Sequence, residues 1–249
     1  TTILRGGSIA NGTIDVGAAA SFLIEGGAHA GNATLQGPGT IRWTSGGLSG
    51  SAGSLTIANG ATLSIDTPDP KYIGNGLSVI NDGTIIWADG NIVTGSPNFG
   101  SSSAITNNGL FDIRTDATWG RDYGYDYDLQ AFLNNPSGVL RKSAGTGVAS
   151  LGAYYTGFDL TNNGLVEVQS GTLDIGTGRS SGLFQSADTG VIRLGRGAFE
   201  LLSGSSIGGS GQLLIDYPAT ISGALSLLDS STTILRGGSI ANGTIDVGA

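Results

Sequence analysis

A short phrase that begins at glycine and alternates apolar with polar residues recurs along this chain, and it constrains the fold more than any other feature. It reads Asn11-Gly12-Thr13-Ile14-Asp15-Val16, then Gly39-Thr40-Ile41-Arg42-Trp43, then Gly60-Ala61-Thr62-Leu63-Ser64-Ile65. It returns at Gly83, Gly109, Gly138, Gly164, Gly190, Gly211 and Gly243. The spacing of these glycines is near one length but not fixed. Alternation over four or five residues from a turn residue is strand chemistry, and a near-regular period of this kind marks a solenoid or a propeller. Many phrases have a sister strand a few residues on. Gly164–Val168 is followed by Gly171-Thr172-Leu173-Asp174-Ile175, and Gly190–Leu194 by Gly197-Ala198-Phe199-Glu200-Leu201. Short Gly, Ser or Ala turns between them bend the chain without reversing it. Two or three strands then close a coil, and coils stack at about 4.8 Å. The expected fold is all-β, a parallel β-helix (β-solenoid) of about 9–10 coils of roughly 21–32 residues, with residues 1–249 as one domain. Nine coils would rise about 43 Å.

A second repeat has a longer period. Residues 1–18 read TTILRGGSIANGTIDVGA, and residues 232–249 repeat them without a mismatch, at an offset of 231. Engineering or convergence of terminal coils could in principle produce such a pair. Convergence would not give full identity, and a tandem array of 231-residue units explains it best. In that reading the last eighteen residues take the place of the first eighteen, one storey higher. The apolar residues of the two copies, Ile3, Leu4, Ile9, Ile14, Val16, Ile234, Leu235, Ile240, Ile245 and Val247, then form a stacking interface. Without a Met, Thr1 reads as a processed end or a cut from a longer chain.

Composition narrows the function. The 45 glycines and only 12% charged residues would suit disorder, but Ile, Leu and Val spaced by single polar residues can build a core. A net charge of −8 argues against phosphate-led nucleic-acid binding and against electrostatic adhesion to anionic membranes. No apolar run of about 18 residues predicts membrane insertion. The absence of Cys excludes disulfides, thiolate metal sites and cysteine nucleophiles. No helix is expected, since glycine interrupts nearly every window of ten; the exception is Tyr125–Asn134, which reads as one helical turn. Asn precedes the strand glycine at Asn11, Asn108, Asn163 and Asn242, doubled by Asn107 and Asn162. Aligned coils would stack these amides as a ladder. Equally, Asn-Gly is a turn dipeptide that tolerates positive φ.

From Gly138 to Gly147, and again from Phe158 through Asn162-Asn163-Gly164-Leu165-Val166-Glu167-Val168 to Ile175, the pattern becomes specific. It resembles the β-helical repeats of large bacterial surface proteins, of the filamentous haemagglutinin and autotransporter-passenger type. The resemblance implies a right-handed parallel β-helix, exported and displayed at a bacterial cell surface or outside the cell. It carries over no binding residue.

The most unusual segment runs from Asp112 to Asp128, in one of the longest steps of the phrase. Trp119, Tyr123, Tyr125 and Tyr127 lie among Asp112, Asp116, Asp122, Asp126 and Asp128. A long insertion in a coil protrudes as a loop, where function tends to sit. Aromatic rings with carboxylates suit sugar stacking or contact with a neighbouring filament, so Trp119, Tyr123, Tyr125 and Tyr127 are the candidate ligand or partner contacts. Asp122, Asp126 and Asp128 are weak candidates for Ca²⁺, without EF-hand or nonapeptide spacing, and no other cofactor is expected. The bland reading is a solvated loop. A lyase would need a base such as Arg121, Arg141 or Lys142, and a hydrolase two carboxylates about 5–9 Å apart. No base–nucleophile constellation is visible, so no catalytic residue is assigned. The single histidine, His29, reads as a turn residue, and Trp43 and Trp87 as stacked aromatics. Lys71 and Lys142 are the only lysines that could form isopeptide bonds, and no local motif supports them.

The sequence therefore points to a structural unit of an extracellular filament, stalk or adhesin shaft whose partners are copies of itself. A module binding cell-surface polysaccharide through the 112–128 loop is the alternative, and a polysaccharide lyase or hydrolase comes third.

Overall fold

The structure, a computed structural model, describes residues 1–249 except 10, 29–30, 51–52, 95–102, 122–129, 154–157, 196, 217–218, 229–230, 238, 241–242 and 247–249. It describes the backbone alone at 27–28, 121, 153 and 239–240. The chain is a parallel β-solenoid with three faces. The first sheet has 12 strands, from Thr2–Leu4 to Thr244–Asp246; the second has 11, from Asn11–Asp15 to Ser239–Ile240; the third has 10, from Gly27–Ala28 to Thr232–Leu235. The chain visits the first sheet, then the third, then the second, and returns to the first one coil higher. Strands next to each other in a sheet run parallel, as from Leu110↔Val139 to Leu165↔Leu183 on the first sheet. Among the described residues there is no helix, and Gln130–Asn134, part of the expected helical turn, is a strand of the second sheet.

Alternation places the apolar residues inside. Ile41, Leu63, Ile85, Phe111, Leu140, Val166, Phe184 and Ile207 sit on one another in register up the first sheet, each 2% exposed or less. Full burial of side chains of this kind contributes about 1.5–3 kcal/mol each. Trp43 and Trp87 are buried on the inward sides of their strands, and their indole N–H groups donate to the carbonyls of Ser45 and Gly90.

The glycine that opens most of the phrases is required by the coil beneath it, Gly12 and Gly60 being the exceptions, with open space and a positive φ. A Cβ on Gly109 would collide with the carbonyl oxygen of Gly83, and one on Gly164 with that of Asn135. Neither glycine has a positive φ, so close approach rather than turn conformation selects it. The phrase also changes face. From Gly39 to Gly164 it opens first-sheet strands, but Val191–Leu194 and Gln212–Ile215 belong to the third sheet. The glycine steps are therefore not all coil lengths. The strand register sets those lengths. On the first sheet the coil from Leu165 to its partner Leu183 is the shortest, and the coil from Leu110 to Val139 is the longest.

Candidate functional site

Three features of the solenoid stand out beyond its apolar core: a polar ladder, a pair of buried lysines and the two end coils. The ladder runs along the second sheet, where Asn81, Asn107, Asn134 and Asn162 are in register and fully buried. Each Nδ2 donates to Oδ1 of the asparagine above, at 2.7, 2.8 and 2.8 Å. The same amides also donate to the carbonyls of Leu110, Val139 and Leu165, tying the corner to the first-sheet strand of the next coil. Asn162 hands on to the hydroxyl of Ser180 at 3.1 Å, and above Ser180 the register position belongs to Leu201. At the lower end Ile57 lies under Asn81, whose Oδ1 has no donor. Of the doubled asparagines, the first is the buried rung. The second, Asn108, donates to Asp82 at 2.7 Å and accepts from Asn135 at 2.6 Å nearer the surface.

Both lysines are fully buried. Lys71 donates to both oxygens of Thr67 and to the carbonyl of Asp69, closing the turn beneath its own strand. Burial pushes its ammonium below the usual lysine range, against the opposing pull of Asp69, Asp89 and Asp66. Lys142 donates to Asp116 Oδ1 at 2.7 Å and to the carbonyls of Ala144 and Thr115. Partial burial alone would raise the Asp116 carboxyl. The Lys142 hydrogen bond, the Gly147 N–H at 2.9 Å and the lysine charge together hold it below the usual carboxylate range. Outside, ion pairs bridge successive coils: Arg42–Asp66, Arg141–Glu167 and Arg193–Asp174, at 2.8, 2.6 and 2.7 Å.

The structure corrects the reading of Trp119 as an exposed ligand contact. It is 1% exposed, on the inward side of the third-sheet strand Thr118–Arg121. Its ring stacks on Phe111 at 5.7 Å and meets Trp87, Phe132 and Phe158 edge-on at 6.1, 6.1 and 5.3 Å. One of the four residues proposed for sugar stacking is thus part of the aromatic core. Asp112 is buried with Arg114 on its Oδ2, and Asp116 is engaged by Lys142. Tyr123, Tyr125, Tyr127, Asp122, Asp126 and Asp128 lie outside the described residues, as does His29. Among the described residues no three His, Cys, Asp or Glu side chains gather as a metal site, and no helix is long and apolar enough to cross a membrane.

The end coils carry the duplicated sequence, and the structure corrects their expected placement. Thr2–Leu4 lies on the first sheet, whereas its duplicate, in Thr232–Leu235, lies on the third. Asn11–Asp15 lies on the second sheet, whereas Thr244–Asp246, the copy of Thr13–Asp15, lies on the first. The second copy is displaced by one face, not simply raised by whole coils. The reason is that the unequal coils between the two copies do not close on a whole number of turns. The in–out alternation survives: Leu4 and Leu235 both point inward, in register with buried Ile24 and Ile215. Of the expected stacking residues, Val16 is buried, and Leu4, Ile9, Ile14 and Ile234 are half-buried. Ile3, Leu235 and Ile245 are 41%, 46% and 38% exposed. The side chain of Ile240 and all of Val247 lie outside the description.

One open groove of about 420 Å³ crosses the outer surface of the second sheet, lined by Asp159, Thr177, Arg179, Glu200 and Thr220 over the small residue Gly178. Arg179 is the only described arginine side chain without an ion pair among the described residues. Nothing in the glycine phrase signals this groove, because it arises from outward positions on four successive coils. No protein-family model, curated protein or solved structure matches the chain.

Proposed function

We propose that this chain is a structural repeat unit of an extracellular bacterial filament, stalk or adhesin shaft, and that its task is mechanical. One observation carries the reading: the first and second sheets each begin and end on strands drawn from the same duplicated 18-residue sequence. A solenoid normally needs capping coils of distinct, polar character, since open coil edges invite uncontrolled association. Here both edges are built from one sequence and leave Ile3, Leu235 and Ile245 exposed, as expected where a further coil continues the stack. Three hydrogen-bonded faces, a buried amide ladder and ion pairs between coils would make such a shaft stiff.

The test is immunogold labelling of thin sections of the encoding organism with antibody to the 249-residue chain. Label along surface fibres is the expected result. Label confined to the cytoplasm, or on compact particles, would overturn the proposal. The groove around Arg179 favours a second reading, a carbohydrate-interacting surface, with a cation and two carboxylates to meet hydroxyl and acid groups. Saturable binding of an oligosaccharide on a glycan array, lost in Arg179→Ala, would support it.

A further inference from the structure

We infer that successive units join through the duplicated segment with a rotation of one face, so that each unit advances the solenoid by ten coils and a third of a turn. This inference rests on the repeat-unit reading. From Thr2–Leu4, ten further strands of the first sheet lead to Ala224–Leu227, and Thr232–Leu235 is the strand on the next face. A unit that restarts at Thr232 therefore restarts on the third sheet.

The two copies show opposite sides of the same joint. The lower copy displays what the segment meets above it: Leu4 under Ile24, Ile14 under Leu35 and Arg5 paired with Glu25 at 2.7 Å. The upper copy displays what it meets below: Leu235 over Ile215, Ile245 over Leu225 and Arg236 reaching Asp216 at 3.4 Å. Superposing the copies sandwiches each leucine and isoleucine between two buried partners and sets the arginine between two carboxylates. The surface left open at Leu235 and Ile245 is then covered. The duplicated glycine agrees. Gly12 has nothing within 4 Å of an added Cβ, yet its duplicate Gly243 would set that Cβ 2.6 Å from the carbonyl oxygen of Ile221. The steric need for glycine at this position exists only where a coil lies beneath, whereas Gly12 at the open edge is selected by its positive φ of 134°.

The occupant of each coil edge is thus a neighbouring unit of this chain, its Ser21–Ile24 and Asn32–Gln36 strands above and its Gln212–Ile215 and Ala224–Leu227 strands below. Three units return to the starting face after about 150 Å. Lateral features such as the Arg179 groove would recur about every 50 Å at three azimuths, so the shaft presents no bare side.

The test uses a two-unit chain, residues 1–231 followed directly by 1–249. The natural sequence has no cysteine, so added pairs report cleanly. Outward-facing partners on adjacent parallel strands are close enough for a disulfide. Leu214→Cys in the first unit with Ile3→Cys in the second should oxidise, because Leu214 is the register partner of the duplicate position Ile234. Ser226→Cys in the first unit with the same Ile3→Cys should stay reduced, since Ser226 is on the first sheet. X-ray scattering should give a rod about 100 Å long. A rod in which the Ser226 pair oxidises, or in which neither pair does, overturns the one-third rotation and leaves the shaft reading intact. Scattering from two flexibly linked bodies overturns both.

Discussion

Asn107 donates its side-chain amide to Oδ1 of Asn134 at 2.8 Å, wholly inside the solenoid, and Asn134 passes the same bond on to Asn162. A buried amide is costly unless all its groups are satisfied, so a run of four asparagines in register supports itself only as a set. Asn134→Leu removes the acceptor for Asn107, one donor to Asn162 and the donor to Leu165 O. We expect a loss of roughly 2–4 kcal/mol in urea unfolding of the full chain, with retained Asn107–Val139 and Gly164–Asn162 bonds limiting the damage. Asn135→Ala, one residue along and only half-buried, should cost under about 1 kcal/mol. Equal effects would show that the buried line is not what holds this corner.

Asp116 makes stability depend on acid. Its carboxyl is held below the usual range in the folded chain, so the folded state binds that proton less readily than the unfolded state. The contribution is fully present above the ordinary carboxylate range, from about pH 5 upward, and is lost as pH falls through the lowered value. Asp116→Asn leaves the buried Lys142 ammonium without its counter-charge. The Asp116 side chain is 40% exposed, so solvent screens part of the pair, and we expect a loss of roughly 1–3 kcal/mol at pH 7. Unfolding measured from pH 7 to pH 3 should show the gap between the two chains narrowing towards acid. A gap that stays constant would mean that the pair does not act through charge.

Trp119 distinguishes a core role from a binding role. Trp119→Ala should cost about 3–5 kcal/mol through the cavity left among Phe111, Phe132 and Phe158. Trp119→Phe keeps a ring and deletes an indole N–H that has no partner, so its cost should stay near roughly 1–2 kcal/mol. Thermal unfolding followed by near-ultraviolet circular dichroism checks both. An alanine variant as stable as the parent would return Trp119 to the surface.

Trp119 also shows where a linear reading stops. Alternation and glycine spacing revealed strands, coils and a parallel stack, because both are local properties of the backbone. The Trp43 and Trp87 positions were legible for the same reason: each stands on the inward side of a strand opened by Gly-Thr-Ile. Trp119 belongs to a third-sheet strand with no such phrase, and its carboxylate neighbours suggested a solvated loop. The face of each phrase was hidden too. The short coil from Leu165 to Leu183 and the long one from Leu110 to Val139 open on the same phrase, and only strand register reveals the shift of face between Gly164 and Gly190. Doubled asparagines suggested ladder and turn equally. Burial separates them, since Asn107 turns inward and Asn108 lies near the surface.

Arg179 and Arg141 have the same side chain on the outside of neighbouring coils, and the difference in their surroundings should appear in their energetics. Arg141 bonds Glu167 at 2.6 Å, with both side chains largely covered. Arg179 is exposed beside Glu200 in register, yet makes no ion pair among the described residues. Arg141→Ala should therefore lower stability by up to about 1 kcal/mol, with part of that loss disappearing in about 1 M salt. Arg179→Ala should stay within about 0.5 kcal/mol of the parent at any salt concentration. Parallel urea titrations at low and high ionic strength test the pair. A destabilised Arg179→Ala chain would mean that this arginine holds the coils together, and the carbohydrate reading would lose the uncommitted cation on which it rests.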